Sequence, residues 1–169
     1  MFLDLGTEVA LKDLQLGVII QSGNDASVAV AERVAGSETA FAEMMNYQAK
    51  LLGMNNTHFT NATGLPDPQL YTTARDMAIL ARAMIKNFPE SYQMYQQKEF
   101  FYNNIKQQNR NLLLYRDNSV DGIKTGHTSS AGYCLVASAQ REGMRLIAVV
   151  LGTESDGARA EQAQTLLNY

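Results

Sequence analysis

Apolar positions in the first half of the chain recur at helical spacing, interrupted by short polar or glycine-bearing breaks. Val9, Leu11, Leu14, Leu16, Val18 and Ile19 make a strongly apolar run that predicts a buried helix ending at Gln21-Ser22-Gly23-Asn24. Asp25 to Ala35 resumes with small and apolar residues, and Gly36 stops it. Ser37 suits the N-cap of a helix running to about Leu52, with Gly53 just past its end. Phe41, Met44, Met45, Ala49 and Leu52 repeat along that segment, and its methionines read as core packing. Asn55 to Leu70 is rich in Asn, Thr, Gly and Pro and predicts a surface connection. Thr73 with Asp76 resembles a capping box, opening a helix through Met77, Leu80, Ala81, Met84 and Ile85 that Phe88-Pro89 closes.

The pattern changes after Glu99. Glu99 to Asn103 and Val120 to Thr125 read as strands. Gly132 to Ala139 and Met144 to Leu151 are apolar runs joined by Gln140-Arg141-Glu142-Gly143, a hairpin signature. Arg159 to Tyr169 returns to helical spacing. Helices, then strands, then a helix predict an α+β fold with helices packed on an antiparallel sheet. A helical part at about 7–96 and a sheet part at about 97–169 belong to a single, partial domain.

Composition narrows the function classes. The chain is 46% hydrophobic and 18% charged, as a globular core requires. A net charge of −3 and a pI near 5.4 offer no basic field for nucleic acid or for an anionic membrane. The longest strongly apolar run, Leu146 to Leu151, falls far short of the ~20 residues of a membrane helix. The single cysteine, Cys134, excludes an internal disulfide framework and a multi-cysteine zinc site, and its place among apolar residues predicts a buried small hydrophobe. His58 and His127 lie far apart in sequence, so neither a metal nor a cofactor is expected. His58 is expected at the surface or bracing its loop. Met1-Phe2-Leu3 lacks the basic flank and cleavage site of an export signal.

Two short motifs carry candidate chemistry. Ser22-Gly23-Asn24 lies between two predicted helices, and Lys124-Thr125-Gly126 ends a predicted strand and is followed by His127-Thr128. Each alone has a plain structural reading. Ser22 and Asn24 suit a helix cap, Lys124 a solvated strand end, and His127 an exposed loop. Arg110 suits a loop ion pair, and Arg159 a solvated first turn.

Together, about a hundred residues apart and in this order, the motifs resemble the second and third active-site motifs of the penicillin-recognising serine enzymes. The flanking text is similar to the low-molecular-mass penicillin-binding proteins, and within them to the D-alanyl-D-alanine carboxypeptidases. It includes Thr73-Ala-Arg-Asp-Met-Ala78, Asn109-Arg110-Asn111, Val120-Asp-Gly-Ile-Lys-Thr-Gly-His-Thr128 and Ala131-Gly-Tyr133.

The resemblance implies a β-lactamase/transpeptidase-like fold and removal of the terminal D-Ala of peptidoglycan pentapeptides through an acyl-serine. It also implies β-lactams as ligands and a periplasmic parent protein, held at the inner membrane by a C-terminal tail. Ser22, Asn24 and Lys124 are then the catalytic residues. Ser22 relays a proton, Asn24 holds the substrate amide, and Lys124 favours anion docking. Thr125 would bond the terminal carboxylate, and Gly126, lacking a Cβ, would let a substrate strand lie close. The His127 backbone N–H would serve as an oxyanion donor. Arg159 resembles the family's carboxylate-binding arginine, and Arg110 matches a position near the cleft.

The family's nucleophile motif, S-x-x-K, is absent. No serine of this chain has lysine three positions later. The expectation is therefore a chain truncated at both ends, short of the nucleophile helix and of the C-terminal β domain, marginal in stability and unable to form an acyl-enzyme. Loss of several hundred Å² of burial at ~25 cal/mol per Å² gives roughly 10 kcal/mol. Two alternatives stay open. One is a D,D-endopeptidase or β-lactamase of the same superfamily, the latter disfavoured by Gly23 where class A enzymes carry Asp. The other is a non-catalytic remnant that binds cell-wall peptide.

Overall fold

The N-terminal apolar run becomes helix α1, Leu11–Gln21, in a computed structural model that describes residues 1–169. Leu14, Leu16, Gly17, Ile19 and Ile20 are its buried positions, spread around more than one side of the helix. Ser22 ends α1 in the left-handed conformation, φ 56° and ψ 43°. Its N–H donates to Val18 O at 3.0 Å, and the Gly23 N–H donates to Gly17 O at 3.1 Å. Helix α2, Asn24–Ala35, starts immediately, so Ser22-Gly23 is a two-residue corner between helices. α2 stops at left-handed Gly36. Helix α3, Glu38–Leu52, is capped by Ser37 Oγ, which accepts from Ala40 N at 3.1 Å, and ends at Gly53. Helix α4, Ala74–Asn87, is capped by Thr73 Oγ1, which accepts from Asp76 N at 3.1 Å.

Between α4 and the main sheet the chain is more structured than its pattern suggests. Pro89–Tyr92 forms the short helix α5, and a 3₁₀ turn follows at Gln93–Gln96. β1, Glu99–Tyr102, pairs antiparallel with β2, Ile105–Gln108, which the sequence does not predict. Leu113–Arg116 forms α6. β3, Val120–Thr128, is longer than expected and carries the whole Lys-Thr-Gly-His segment within the ladder. β4, Gly132–Arg141, and β5, Met144–Thr153, complete an antiparallel sheet ordered β3-β4-β5, and α7 spans Asp156–Asn168.

Alternation along β4 puts neighbouring side chains on opposite faces of this sheet. Leu135, Ala137 and Ala139 pack with Ala160, Ala163 and Leu167 of α7 and with Leu113 and Leu114. Val136 packs the other way, with Ala81 of α4 and with Tyr92. A third cluster joins α1 to Ala26 of α2 and Phe100 of β1. Gly122 sits where β3 passes Tyr92. A Cβ there would lie 2.6 Å from the Tyr92 hydroxyl, so glycine is required by packing.

Two expectations change. Cys134 is only half-buried, near the start of β4, with Sγ 3.7 Å from Ala131 O. Met44 on α3 is 47% exposed, so that methionine is not core. The 55–70 connection lies at the surface as expected, and polar bonds pin it there. Buried Asp76 accepts from Asn56 N and Thr57 Oγ1, both at 2.8 Å, and Asn46 brackets Phe59 N and O at 2.7 Å. His58 braces this loop, its Nδ1 2.8 Å from Gln69 O, beside a backbone bridge to Tyr71.

Candidate active site

The helix corner and the β3 strand meet at one bond. Lys124 Nζ donates to Ser22 Oγ, across 102 residues of sequence, and also to Thr125 O at 2.8 Å. The Ser22 side chain thus faces the sheet and makes no capping bond. The N-cap of α2 is Gly23, and no side chain caps it. The left-handed turn at Ser22 is what projects a serine from the corner. A regular helical φ there would continue α1 and carry the hydroxyl elsewhere.

Burial opposes the charge on Lys124, and the positive charges of Arg110 and Arg159 add to the effect. Together they push its pKa down to about 8. The ammonium remains the main form at neutral pH, yet lies close enough to its pKa to exchange a proton.

Ser22 lines an open depression of about 610 Å³ with Gln21, Gly23, Asn24, the β2 residues and Arg110. None of its lining residues is acidic. Asn24, the first residue of α2, is exposed on its wall. Arg110 is exposed as well and donates to Gln21 Oε1 at 3.4 Å, while Gln21 Nε2 donates to Gln108 O at 2.7 Å.

The neighbours of Arg110 explain how it is held. Asn109 Nδ2 donates to Gln97 O at 2.9 Å, and its Oδ1 accepts from Asn111 N at 3.0 Å. Asn111, 1% exposed, donates to Gly122 O of β3 at 3.1 Å and accepts from Leu113 N at 3.2 Å. Two buried asparagines brace the loop and leave the arginine between them facing out. The sequence pattern gave these asparagines no role of their own.

Thr125 is buried, and Gly126 and His127 are exposed along outer strand β3. A Cβ on Gly126 would meet only Cys134 Cβ, at 3.9 Å. Internal packing therefore does not require this glycine, in contrast to Gly122. Arg159 lies elsewhere than a solvated first turn. It is 5% exposed, with Nη1 donating to Gly126 O at 3.0 Å and to Cys134 O at 3.4 Å, and Nη2 paired with Asp156. The structure thus joins Ser22 to Lys124 directly, sets Asn24 and Arg110 on one depression with Ser22, and puts Arg159 against β3.

A family model described as D-alanyl-D-alanine carboxypeptidase matches residues 1–155. The chain belongs to this family. It is 51% identical over 170 residues to the D-alanyl-D-alanine carboxypeptidase DacC of Escherichia coli, covering 100% of this chain and 42% of the relative. DacA of Haemophilus influenzae is 50% identical over 171 residues, covering 100% and 44%. The chain thus spans less than half the length of these relatives. Among solved structures, penicillin binding protein 5 from Haemophilus influenzae superposes with a TM-score of 0.96 at 50% identity, covering 99% of this chain and 49% of that one. Penicillin-binding protein D2 from Listeria monocytogenes, in its ampicillin-bound form, superposes with a TM-score of 0.87 at 31% identity, covering 94% and 66%. The α+β, transpeptidase-like architecture is therefore that of the family.

Proposed function

We propose that these residues form part of the active site of a serine D-Ala-D-Ala carboxypeptidase that trims peptidoglycan stem peptides and is acylated by β-lactams. The observation that carries this reading is the Lys124–Ser22 bond, with Ser22 and Asn24 lining an open depression that has no acidic residue in its lining. A peptide ending in a free carboxylate is an anion. Lys124 and Arg110 supply the positive field it needs, and the Asn24 amide binds a peptide group without adding charge. Ser22, bonded to an ammonium poised near neutrality, relays a proton between the reacting hydroxyl and the leaving amine. Thr125 holds the carboxylate and the open face at Gly126 admits the substrate backbone, while the His127 N–H stabilises the developing oxyanion. The His127 imidazole is not needed as a base. The working place of such an enzyme is the periplasm, where its peptide substrate lies.

Titration of the ¹⁵N-labelled chain with a diacylated tripeptide ending in D-Ala-D-Ala tests the reading. Resonances of Ser22, Asn24 and Gly126 shift, and the same peptide ending in L-Ala-L-Ala leaves them in place. Equal response to both peptides, or to neither, refutes it. Joined to a Ser-x-x-Lys helix, these residues release D-Ala from linear pentapeptides. Preferred cleavage of cross-linked muropeptides would mark an endopeptidase instead.

A second reading, peptide binding without turnover, is favoured by one observation: no serine of this chain has a lysine three positions later. Binding of the D-Ala-D-Ala peptide with no covalent uptake of fluorescent penicillin is its signature.

A further inference from the structure

A guanidinium that is almost fully buried needs acceptors, and Arg159 finds them on β3, on β4 and on its own helix. Nη1 reaches Gly126 O at 3.0 Å and Cys134 O at 3.4 Å, and Nη2 pairs with Asp156. Gly126 and Cys134 are facing partners across β3 and β4, so one side chain ties both strands at the level of the Lys-Thr-Gly segment. Arg159 Cζ lies 5.4 Å from the centroid of the Tyr133 ring. Tyr133 in turn meets the His127 imidazole at 4.0 Å between centroids. Tyr133 is itself anchored, its carbonyl accepting from Thr153 Oγ1 at 2.9 Å. Guanidinium, phenol and imidazole therefore form a continuous chain of contacts from α7 to β3.

In a trans peptide unit the C=O and N–H point in opposite directions. The bond between Gly126 and His127 is trans, since the only cis bond lies at Gly122-Ile123. Holding Gly126 O toward Arg159 on α7 therefore aims the His127 N–H away from α7. We infer that Arg159 and Tyr133 are positioning residues for the His127 amide. Added to the β3–β4 pairing, the guanidinium holds the Gly126–His127 peptide plane at its carbonyl, and the phenol between guanidinium and imidazole resists its turning. This deepens the functional reading above, on which it rests only in taking the His127 N–H as the donor to substrate. It also gives Arg159 a task other than contact with the substrate carboxylate.

The charge of Arg159 supplies a reporter. It acts on Lys124 from α7, as Arg110 acts from the loop after β2, and Asp156 pairs with the guanidinium. Replacing Arg159 by a neutral residue removes one of two repelling charges. Replacing it by lysine keeps the charge and loses the fork.

The test uses the ¹⁵N,¹³C-labelled chain with R159Q, R159K, Y133L and D156N. The one-bond residual dipolar coupling of the His127 amide is read against those of Val136 and Ala137, and Lys124 Cε is titrated. R159Q changes the His127 coupling and raises the Lys124 midpoint above about 8. R159K changes the coupling and leaves the midpoint in place, and Y133L does the same. If R159Q does not fold, Y133L and D156N carry the test, since the Asp156 side chain is 44% exposed and its loss frees the guanidinium without opening the core. A His127 coupling unmoved in both Y133L and D156N overturns the inference. Neither readout uses substrate. Failure of the D-Ala-D-Ala peptide to perturb Ser22 would defeat the functional reading while leaving the peptide-plane result intact.

Discussion

Lys124 carries a charge where burial and two arginines oppose it, and that fixes how the site responds to pH. Its pKa in the folded chain is lowered to about 8 from the ordinary 10.5. The unfolded chain therefore binds more protons between those values, and stability rises with pH across that window. Below about pH 8 the group is charged in both states and its full penalty is present. Relative to K124M, the native chain should gain up to about 3 kcal/mol between pH 8 and 10.5, read by urea denaturation at the two pH values. Binding of an anionic peptide changes in the opposite sense and weakens above about pH 8 as the ammonium is lost. Gly126 offers a second residue-level test. Because a Cβ there has room, G126A should hold stability within ~0.5 kcal/mol while lowering affinity for the D-Ala-D-Ala peptide about tenfold or more. The two motifs were readable in the sequence because each is a short contiguous string. Asn109 and Asn111 were not, since their meaning lies in partners 12 and 11 residues away, at Gln97 and Gly122.

Single polar residues tie whole elements together, and the tie at Asp117 responds to acid. Arg141, at the end of β4, donates to Asp117 at 2.6 Å, to Ser119 Oγ at 2.9 Å and to Leu167 O of α7 at 2.6 Å. The Ser119 hydroxyl, the Ser119 N–H and Arg141 together hold the Asp117 carboxyl below its ordinary 3.8. This contribution is fully present above about pH 4 and is lost as the pH falls through the depressed value. R141M should cost roughly 2–3 kcal/mol at pH 7, with the difference from the native chain shrinking below pH 4 in acid titrations followed by circular dichroism. Asp76 ties the 55–73 loop to α4 through its bonds to Asn56 N and Thr57 Oγ1. D76A should cost about 1–3 kcal/mol and should speed amide exchange at Asn56 and Thr57 before it affects β4. Caps at Ser37 and Thr73 announced α3 and α4 because a cap is local chemistry. β2 stayed hidden because Ile105-Lys106-Gln107-Gln108 has a single apolar residue, and its pairing with β1 is what makes it a strand.

Across the whole molecule, packing follows contacts that sequence order does not reveal. The β1–β2 hairpin shares a core with α1 through Phe100, while α4, from the first half of the chain, packs against the sheet through Ala81. The largest cluster, between the sheet and α7, includes Leu135, 1% exposed. L135A should cost ~2–5 kcal/mol in chemical denaturation. The 169 residues, with no Ser-x-x-Lys, should show no covalent band with fluorescent penicillin on a denaturing gel, and such a band would overturn the assignment of Ser22 as a relay. The general architecture was readable from periodicity. Which helix covers which core was not, because periodicity specifies a face and says nothing about the neighbour it meets.

The Lys124–Ser22 bond has one more consequence. Three of the polar bonds that stitch the α1–α2 corner to later parts of the chain (Ser22 to Lys124, Gln21 to Gln108 and Arg110 to Gln21) gather at a single seam. A guest lodged there would grip both banks at once. Even without reacting, it should act as mortar, raising the melting temperature of the chain in proportion to the logarithm of its concentration.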